Sequence, residues 1–240
     1  MTKKLAVYQH SPWEGPGRFL QQAARQNDIK LCIIRAWLGV FPDPADYHGF
    51  LLLGGSPNVD QEDRYPFLAA EKKSIRQIIA TDKPCLGICL GHQLLADALG
   101  GQVGANFCSS VGLSRAFLTG HGRRHPLFAG IDSPFPTFKW HGQAVLPPVP
   151  HHFRILATSM ECQVEAFSIT SRPHLIGIQF DNHAAHPDDA AAWYEQDQKW
   201  LSSLSPHPIT EEEMVSLLAA NKQLMATQFD RLFTSFCAFL

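Results

Sequence analysis

Pro84-Cys-Leu-Gly-Ile-Cys89-Leu-Gly-His-Gln93-Leu-Leu-Ala-Asp-Ala-Leu-Gly-Gly101 sets one cysteine where a short apolar run turns directly into a helical pattern. Cys85 to Ile88 reads as a buried strand, and Leu90, Leu94, Leu95, Ala98 and Leu99 recur at helical spacing until Gly100 stops them. A strand therefore ends and a helix begins at Cys89. Gly87 and Gly91, two positions to either side, remove the side chains that would crowd so sharp a turn. The thiol is expected to be exposed at its apex, where the unpaired amides and dipole of a helix N-terminus favour thiolate over thiol. On that ground Cys89 should be the most reactive of the six cysteines near neutral pH. The same amides can hold an oxyanion.

Toward the N-terminus the chain alternates apolar runs with helical patterns: Leu5 to Tyr8, a helix near Arg18 to Gln26, Leu31 to Ile34, Phe50 to Leu53, and a helix from about Pro66 to Ala80. Such alternation predicts βαβ units and a parallel sheet covered on both faces, with ligands beyond the carboxyl ends of its strands. Cys89 stands at such an end. Gly54-Gly55-Ser56-Pro57, which follows the run Phe50 to Leu53, lies at the same edge and presents amides free of side chains. Beyond Gly101 the runs Gly112 to Leu118, Phe135 to Trp140, Phe153 to Thr158, Cys162 to Ile169 and Leu175 to Phe180 predict a mixed or antiparallel extension, with Pro147 to Pro150 as a loop.

Three segments together resemble class I glutamine amidotransferases, over roughly the first two hundred residues. Gly87-Ile-Cys89-Leu-Gly91-His-Gln93 resembles the family's G-x-C-x-G-x-Q signature. Gly54-Gly55 resembles its Gly-rich loop, and Trp140-His141-Gly142-Gln143 its His-Gly segment. The resemblance implies a flavodoxin-like, doubly wound α/β fold with a mostly parallel sheet and an antiparallel extension. It implies a thiol amidase in which Cys89 attacks the side-chain amide of glutamine, forms a γ-glutamyl thioester and releases ammonia. It further implies that the Gly55 and Leu90 amides hold the oxyanion, that Gln93 fixes the helix and pocket, and that the His141-Gly142 backbone helps hold the substrate.

The pattern breaks where the family carries Gln-Phe-His-Pro-Glu, its histidine paired with the cysteine. Here Gln179-Phe180 is followed by Asp181-Asn182-His183-Ala184-Ala185-His186-Pro187-Asp188. Asp181 occupies the histidine position, and a carboxylate beside Cys89 raises the thiol pKa rather than lowering it. Three accounts compete. His183 or His186 takes the imidazole role, with Asp181 or Asp188 as orienting carboxylate; or the site binds a ligand other than glutamine; or catalysis is lost and a glutamine-binding or protein-interaction module remains. The first, with His183 as base, is taken forward. An extended chain after Phe180 would put the Asp181 and His183 side chains on one side. Both are then expected at the Cys89 pocket, beside Gly55 and His141-Gly142.

With 240 residues there is length for one substantial core. A net charge of -2 and a pI near 6.6 give no pull toward nucleic acid or anionic lipid. No apolar run reaches signal-peptide or membrane-spanning length, and the six dispersed cysteines read as thiols of a reducing, cytoplasmic compartment. No cofactor is expected, nor a metal, since Asp181-Asn182-His183 is too sparse a ligand set. The likeness is nearest the guanosine monophosphate synthase branch. Only about forty residues follow Leu204, so the ammonia acceptor is expected to be a separate synthetase chain, unless a small γ-glutamyl compound is hydrolysed directly. A homodimer is compatible with either.

The domain is expected to run from 1 to 204, its last helix spanning roughly Pro187 to Leu204. A helical appendage over 205–240 follows the break Ser205-Pro206-His207-Pro208. Thr210 with Glu213 makes a capping box. The stripe Met214, Leu217, Leu218, Leu224, Met225, Phe229, Leu232, Phe233, Phe236 and Phe239 is expected to pack on the chain's own sheet.

Overall fold

A computed structural model describes residues 2–204 and 209–240. The break at 205–208 lies outside the described residues. Among these residues nine strands form one sheet, ordered β2 (Ile29–Arg35), β1 (Lys3–Gln9), β3 (Gly49–Leu52), β4 (Cys85–Ile88), β9 (Arg172–Ile178), β8 (Ala166–Ile169), β7 (Phe153–Ser159), β5 (Gln102–Leu118), β6 (Phe135–Leu146). The parallel half contains β1, β2, β3, β4 and β9. The antiparallel half contains β5, β6, β7 and β8. The expected doubly wound sheet with an antiparallel extension is what the chain forms.

Alternation along the strands feeds two cores. On one face Leu5, Val7, Leu51, Leu86 and Ile88 meet α1 (Gly17–Gln26), α4 (Pro187–Gln196) and α6 (Glu211–Cys237). On the other, Ala6, Tyr8, Phe50, Leu52 and Cys85 meet α2 (Phe67–Ala80) and α3 (Leu90–Ala98). Because helices cover both faces, β3 and β4 are buried at every residue.

Two expectations need correction here. The helix foreseen over Pro187 to Leu204 is two, α4 and α5 (Gln198–Leu201), divided at Asp197, whose carboxylate accepts the Trp140 indole N–H at 2.8 Å. Along α6, Met214, Leu218, Met225, Phe229, Leu232, Phe233 and Phe236 are buried, but Leu217 and Leu224 are about half exposed. At about 100° per residue those two lie more than a quarter-turn off the middle of the stripe. The capping box forms, with the Glu213 N–H donating to Thr210 Oγ1 and the Thr210 N–H donating to the Glu213 carboxylate at 3.0 Å.

Candidate active site

β4 delivers Cys89 to the carboxyl edge of the sheet at φ 50°, ψ -109°, a conformation that non-glycine residues rarely adopt. The neighbouring glycines are there because backbone closes in on them. A Cβ on Gly87 would stand 2.4 Å from the Gly91 oxygen, and one on Gly91 2.1 Å from the Leu52 oxygen. The Cys89 N–H donates to the Ile178 oxygen and the Gly91 N–H to the Leu53 oxygen, tying the elbow to both flanking strands. Contrary to the expected exposed apex, Cys89 is only 7% exposed, at the floor of a cleft of about 530 Å³.

Gly55, Leu90, Gln93, His141 and Gly142 all line this cleft. The Gln93 side-chain amide donates to the Gln143 carbonyl oxygen at 3.0 Å and to Gln179 Oε1 at 3.1 Å, so α3 is bolted to β6 and to the end of β9. The His141 ring is buried, with Nδ1 3.0 Å from the Gln143 carbonyl oxygen. Burial first, then the nearby Lys139 charge, bring its pKa down to about 4.

Asp181 lies against Cys89: a Cβ on Gly54 would be 3.2 Å from Asp181 Oδ1 and 3.9 Å from the sulfur. Neither carboxyl oxygen of Asp181 has a hydrogen-bond partner, and the thiol donates instead to the Trp140 oxygen at 3.9 Å. Burial, then Asp181 and Glu14, push the Cys89 thiol well above its ordinary pKa, outweighing the lowering by the Leu90 N–H. The helix N-terminus therefore loses to desolvation and charge, against the expectation of a thiol pKa lowered by its amides. Asp181 is itself raised well above the usual carboxylate range by burial and by Glu14.

His183 does not reach the cysteine. The Asn182 side chain accepts from the Phe138 N–H at 2.7 Å and donates to the Pro136 oxygen at 3.1 Å. This lock bends the chain into a 3₁₀ turn over Asn182–Ala184 rather than letting it continue extended. At about 120° per residue in such a turn, positions i and i+2 no longer share a side. His183 instead packs between Trp193 and Phe229, ring centroids 6.1 and 6.4 Å away, where burial takes its pKa down to about 3. His186 caps α4, its Nδ1 accepting the Asp188 N–H at 3.2 Å, with its ring edge-on to Phe19. Of the three histidines considered, His141 alone lines the cleft.

Sequence reasoning missed Glu14. Its carboxylate accepts from Ser11 Oγ at 2.5 Å and from the Ser56 N–H at 3.0 Å, and burial raises its pKa. The signal was its place, since Glu14 follows β1 at the carboxyl edge where such sheets bind ligands. Among the described residues, no group of three or more histidine, cysteine or acidic side chains is placed to hold a metal, and no helix is long and apolar enough to cross a membrane.

Residues 22–192 match the family model for glutamine amidotransferase class-I. The chain belongs to the class I glutamine amidotransferase family. Similar relatives are GMP synthase [glutamine-hydrolyzing] subunits A. That of Methanocaldococcus jannaschii is 33% identical over 138 residues, 58% of this chain and 66% of that subunit. That of Methanococcus aeolicus is 30% identical over 141 residues, 59% of this chain and 68% of that subunit. Among solved structures, a glutamine amidotransferase of Methylobacillus flagellatus superposes with a TM-score of 0.87 at 22% identity, covering 100% of this chain and 96% of that one. One of Thermotoga maritima superposes at 0.85 with 20% identity, covering 98% of each. At such identities these likenesses establish the amidotransferase fold.

Proposed function

We propose that the chain is a thiol amidase acting on the carboxamide of glutamine or a γ-glutamyl compound, with Cys89 as nucleophile and Asp181, not a histidine, carrying the proton. The observation that supports it most is the Asp181 carboxyl standing beside the Cys89 sulfur at a helix N-terminus. As the sulfur–carbon bond forms, the thiol proton passes to the Asp181 carboxylate and the carbonyl π pair moves to the oxygen, which the Gly55 and Leu90 N–H groups would hold. Collapse breaks the carbon–nitrogen bond while Asp181 returns the proton to the departing nitrogen, releasing ammonia and leaving the γ-glutamyl thioester. Water then adds to the thioester, giving a proton back through Asp181 to the sulfur as glutamate leaves. A raised carboxyl pKa makes Asp181 a stronger base than an exposed carboxylate.

Relatives named as one subunit of a GMP synthase support passage of the ammonia to a separate synthetase chain. Six unpaired thiols support a reducing, cytoplasmic setting. One observation favours a second reading, a glutamine-binding module without turnover: the thiol is held protonated at neutral pH by burial and by two carboxyl neighbours.

Ammonia release from glutamine separates the two. The amidase reading expects slow release that is abolished in Cys89→Ser and falls by about 10²-fold or more in Asp181→Asn, the range of a lost general base. Glutamine binding by calorimetry with no ammonia from wild type, and release gained in Asp181→His, would establish the binding module instead.

A further inference from the structure

His10, the first residue after β1, and Glu71, on the buried face of α2, have fully buried side chains that meet at 2.7 Å through His10 Nε2 and Glu71 Oε1. The other ring nitrogen, Nδ1, is 2.9 Å from the Gly54 carbonyl oxygen. A carbonyl oxygen only accepts, so Nδ1 donates to Gly54 whichever way the proton of the His10–Glu71 pair lies, and with Glu71 ionised both ring nitrogens donate. Burial opposes a charge on the ring, but Glu71 and the Gly54 carbonyl outweigh it and the His10 pKa is raised.

This pair holds one side of the turn above Cys89. On the other side Glu14 accepts the Ser56 N–H. The turn is thus tied at Gly54 and at Ser56, and among the described residues the Gly55 N–H between them has no hydrogen-bond partner. A trans peptide carries its C=O and N–H on opposite sides, so seating the Gly54 oxygen on His10 turns the Gly55 N–H away from it. Nor can the turn relax easily. A Cβ at Gly55 would stand 2.5 Å from His10 Cβ and 3.0 Å from Leu90 Cδ2, so the peptide is wedged between His10 and the first residue of α3.

We propose that His10, held by Glu71, is a positioning residue of the Cys89 site, fixing the Gly54-Gly55 peptide so that the Gly55 N–H meets the oxygen of a bound carboxamide. The inference rests on the amidase reading and adds two residues that take no part in its bond changes.

The test uses glutamine turnover together with the γ-semialdehyde of glutamate, whose carbonyl accepts the Cys89 thiol. The sulfur–carbon bond forms and the thiol proton goes to the oxygen, which occupies the oxyanion position. In His10→Phe, kcat for ammonia release should fall by about 10²- to 10³-fold, the effect of one lost oxyanion donor, with KM changed less than about threefold. Aldehyde affinity should fall in parallel, while alkylation of Cys89 by iodoacetamide, which develops no oxyanion, keeps its rate. His10→Asn, with a donor near the Nδ1 position, should recover at least about tenfold of the loss, the value of a regained hydrogen bond.

His10→Phe that keeps its aldehyde affinity, or loses alkylation along with turnover, overturns the proposal. Should that variant not fold, Glu71→Leu decides: it leaves Nε2 without a partner and the ring without its anchor, and must weaken the aldehyde by about tenfold or more. Unchanged affinity there overturns the proposal as well. Wild type that binds the aldehyde but releases no ammonia removes the amidase reading and leaves the positioning role to the aldehyde comparison. Wild type that does neither overturns both.

Discussion

Replacing Asp181 by asparagine removes a negative charge from beside a buried thiol, and its effect on Cys89 can be worked out. Asp181 Oδ1 and the sulfur both lie within 4 Å of one point above Gly54, at 3.2 and 3.9 Å, so they are no more than about 7 Å apart. At an effective dielectric constant of about 20, two unit charges about 4 to 7 Å apart interact by about 2.4 to 4 kcal/mol. Asp181→Asn should lower the Cys89 thiol pKa, leaving the part due to burial and Glu14. Thiolate at pH 7.5 then rises by about 10²- to 10³-fold, but nucleophilicity falls with basicity at a Brønsted slope of about 0.45. The net gain in rate toward an aromatic disulfide is about ten- to fiftyfold. The assay is the pH dependence of mixed-disulfide formation, mapped by peptide mass so that the partly exposed Cys32 and Cys108 are counted separately. A Cys89 rate unchanged or lower in Asp181→Asn would show instead that Asp181 carries no charge where the thiol titrates.

Two further perturbations test the packing around the site. The His183 pKa is near 3 when folded against about 6.5 when unfolded, so the stability it permits is complete above pH 6.5 and lost as pH falls toward 3. His183→Leu should therefore gain about 2 kcal/mol on wild type between pH 7 and pH 5, read from urea unfolding at the two pH values; a constant difference would show that His183 is not buried neutral. On α6, Phe233→Ala should cost about 3 to 5 kcal/mol, whereas Leu224→Ala, half exposed, should stay within about 0.5 kcal/mol in thermal or urea unfolding. Equal losses would mean that the helix does not sit on the sheet by its phenylalanine stripe.

Elements whose signal is local are legible in the residues alone. Cys85, Leu86 and Ile88, the cysteine that follows them and its two flanking glycines specify the β4-Cys89-α3 elbow, because backbone within 2.5 Å of the missing Cβ positions allows nothing larger than glycine. The Thr210 and Glu213 pair sets the start of α6 just as locally, since both partners of its capping box lie within one turn. The unbroken apolar runs Leu5 to Tyr8 and Phe50 to Leu53 likewise signal the two-sided burial of β1 and β3, where odd and even positions enter different cores.

The surroundings of the thiol depend on contacts between residues far apart in the chain. The sense of the chain after Phe180 depends on Asn182 finding backbone partners at Phe138 and Pro136, more than forty positions away, and that lock sends His183 into the helix layer and leaves Asp181 beside the sulfur. His10 and Glu71 are 61 positions apart, and Glu71 sits in the apolar stripe of α2, where a carboxylate is a sign of a buried partner but not of which one. The acidity of the Cys89 thiol turned on the same kind of fact. A helix N-terminus lowers a thiol pKa through amides that adjoin it in sequence, while the burial and the two carboxyl groups that raise it arrive from β1's loop and β9's end, and in a water-poor floor those long-range contributions prevail.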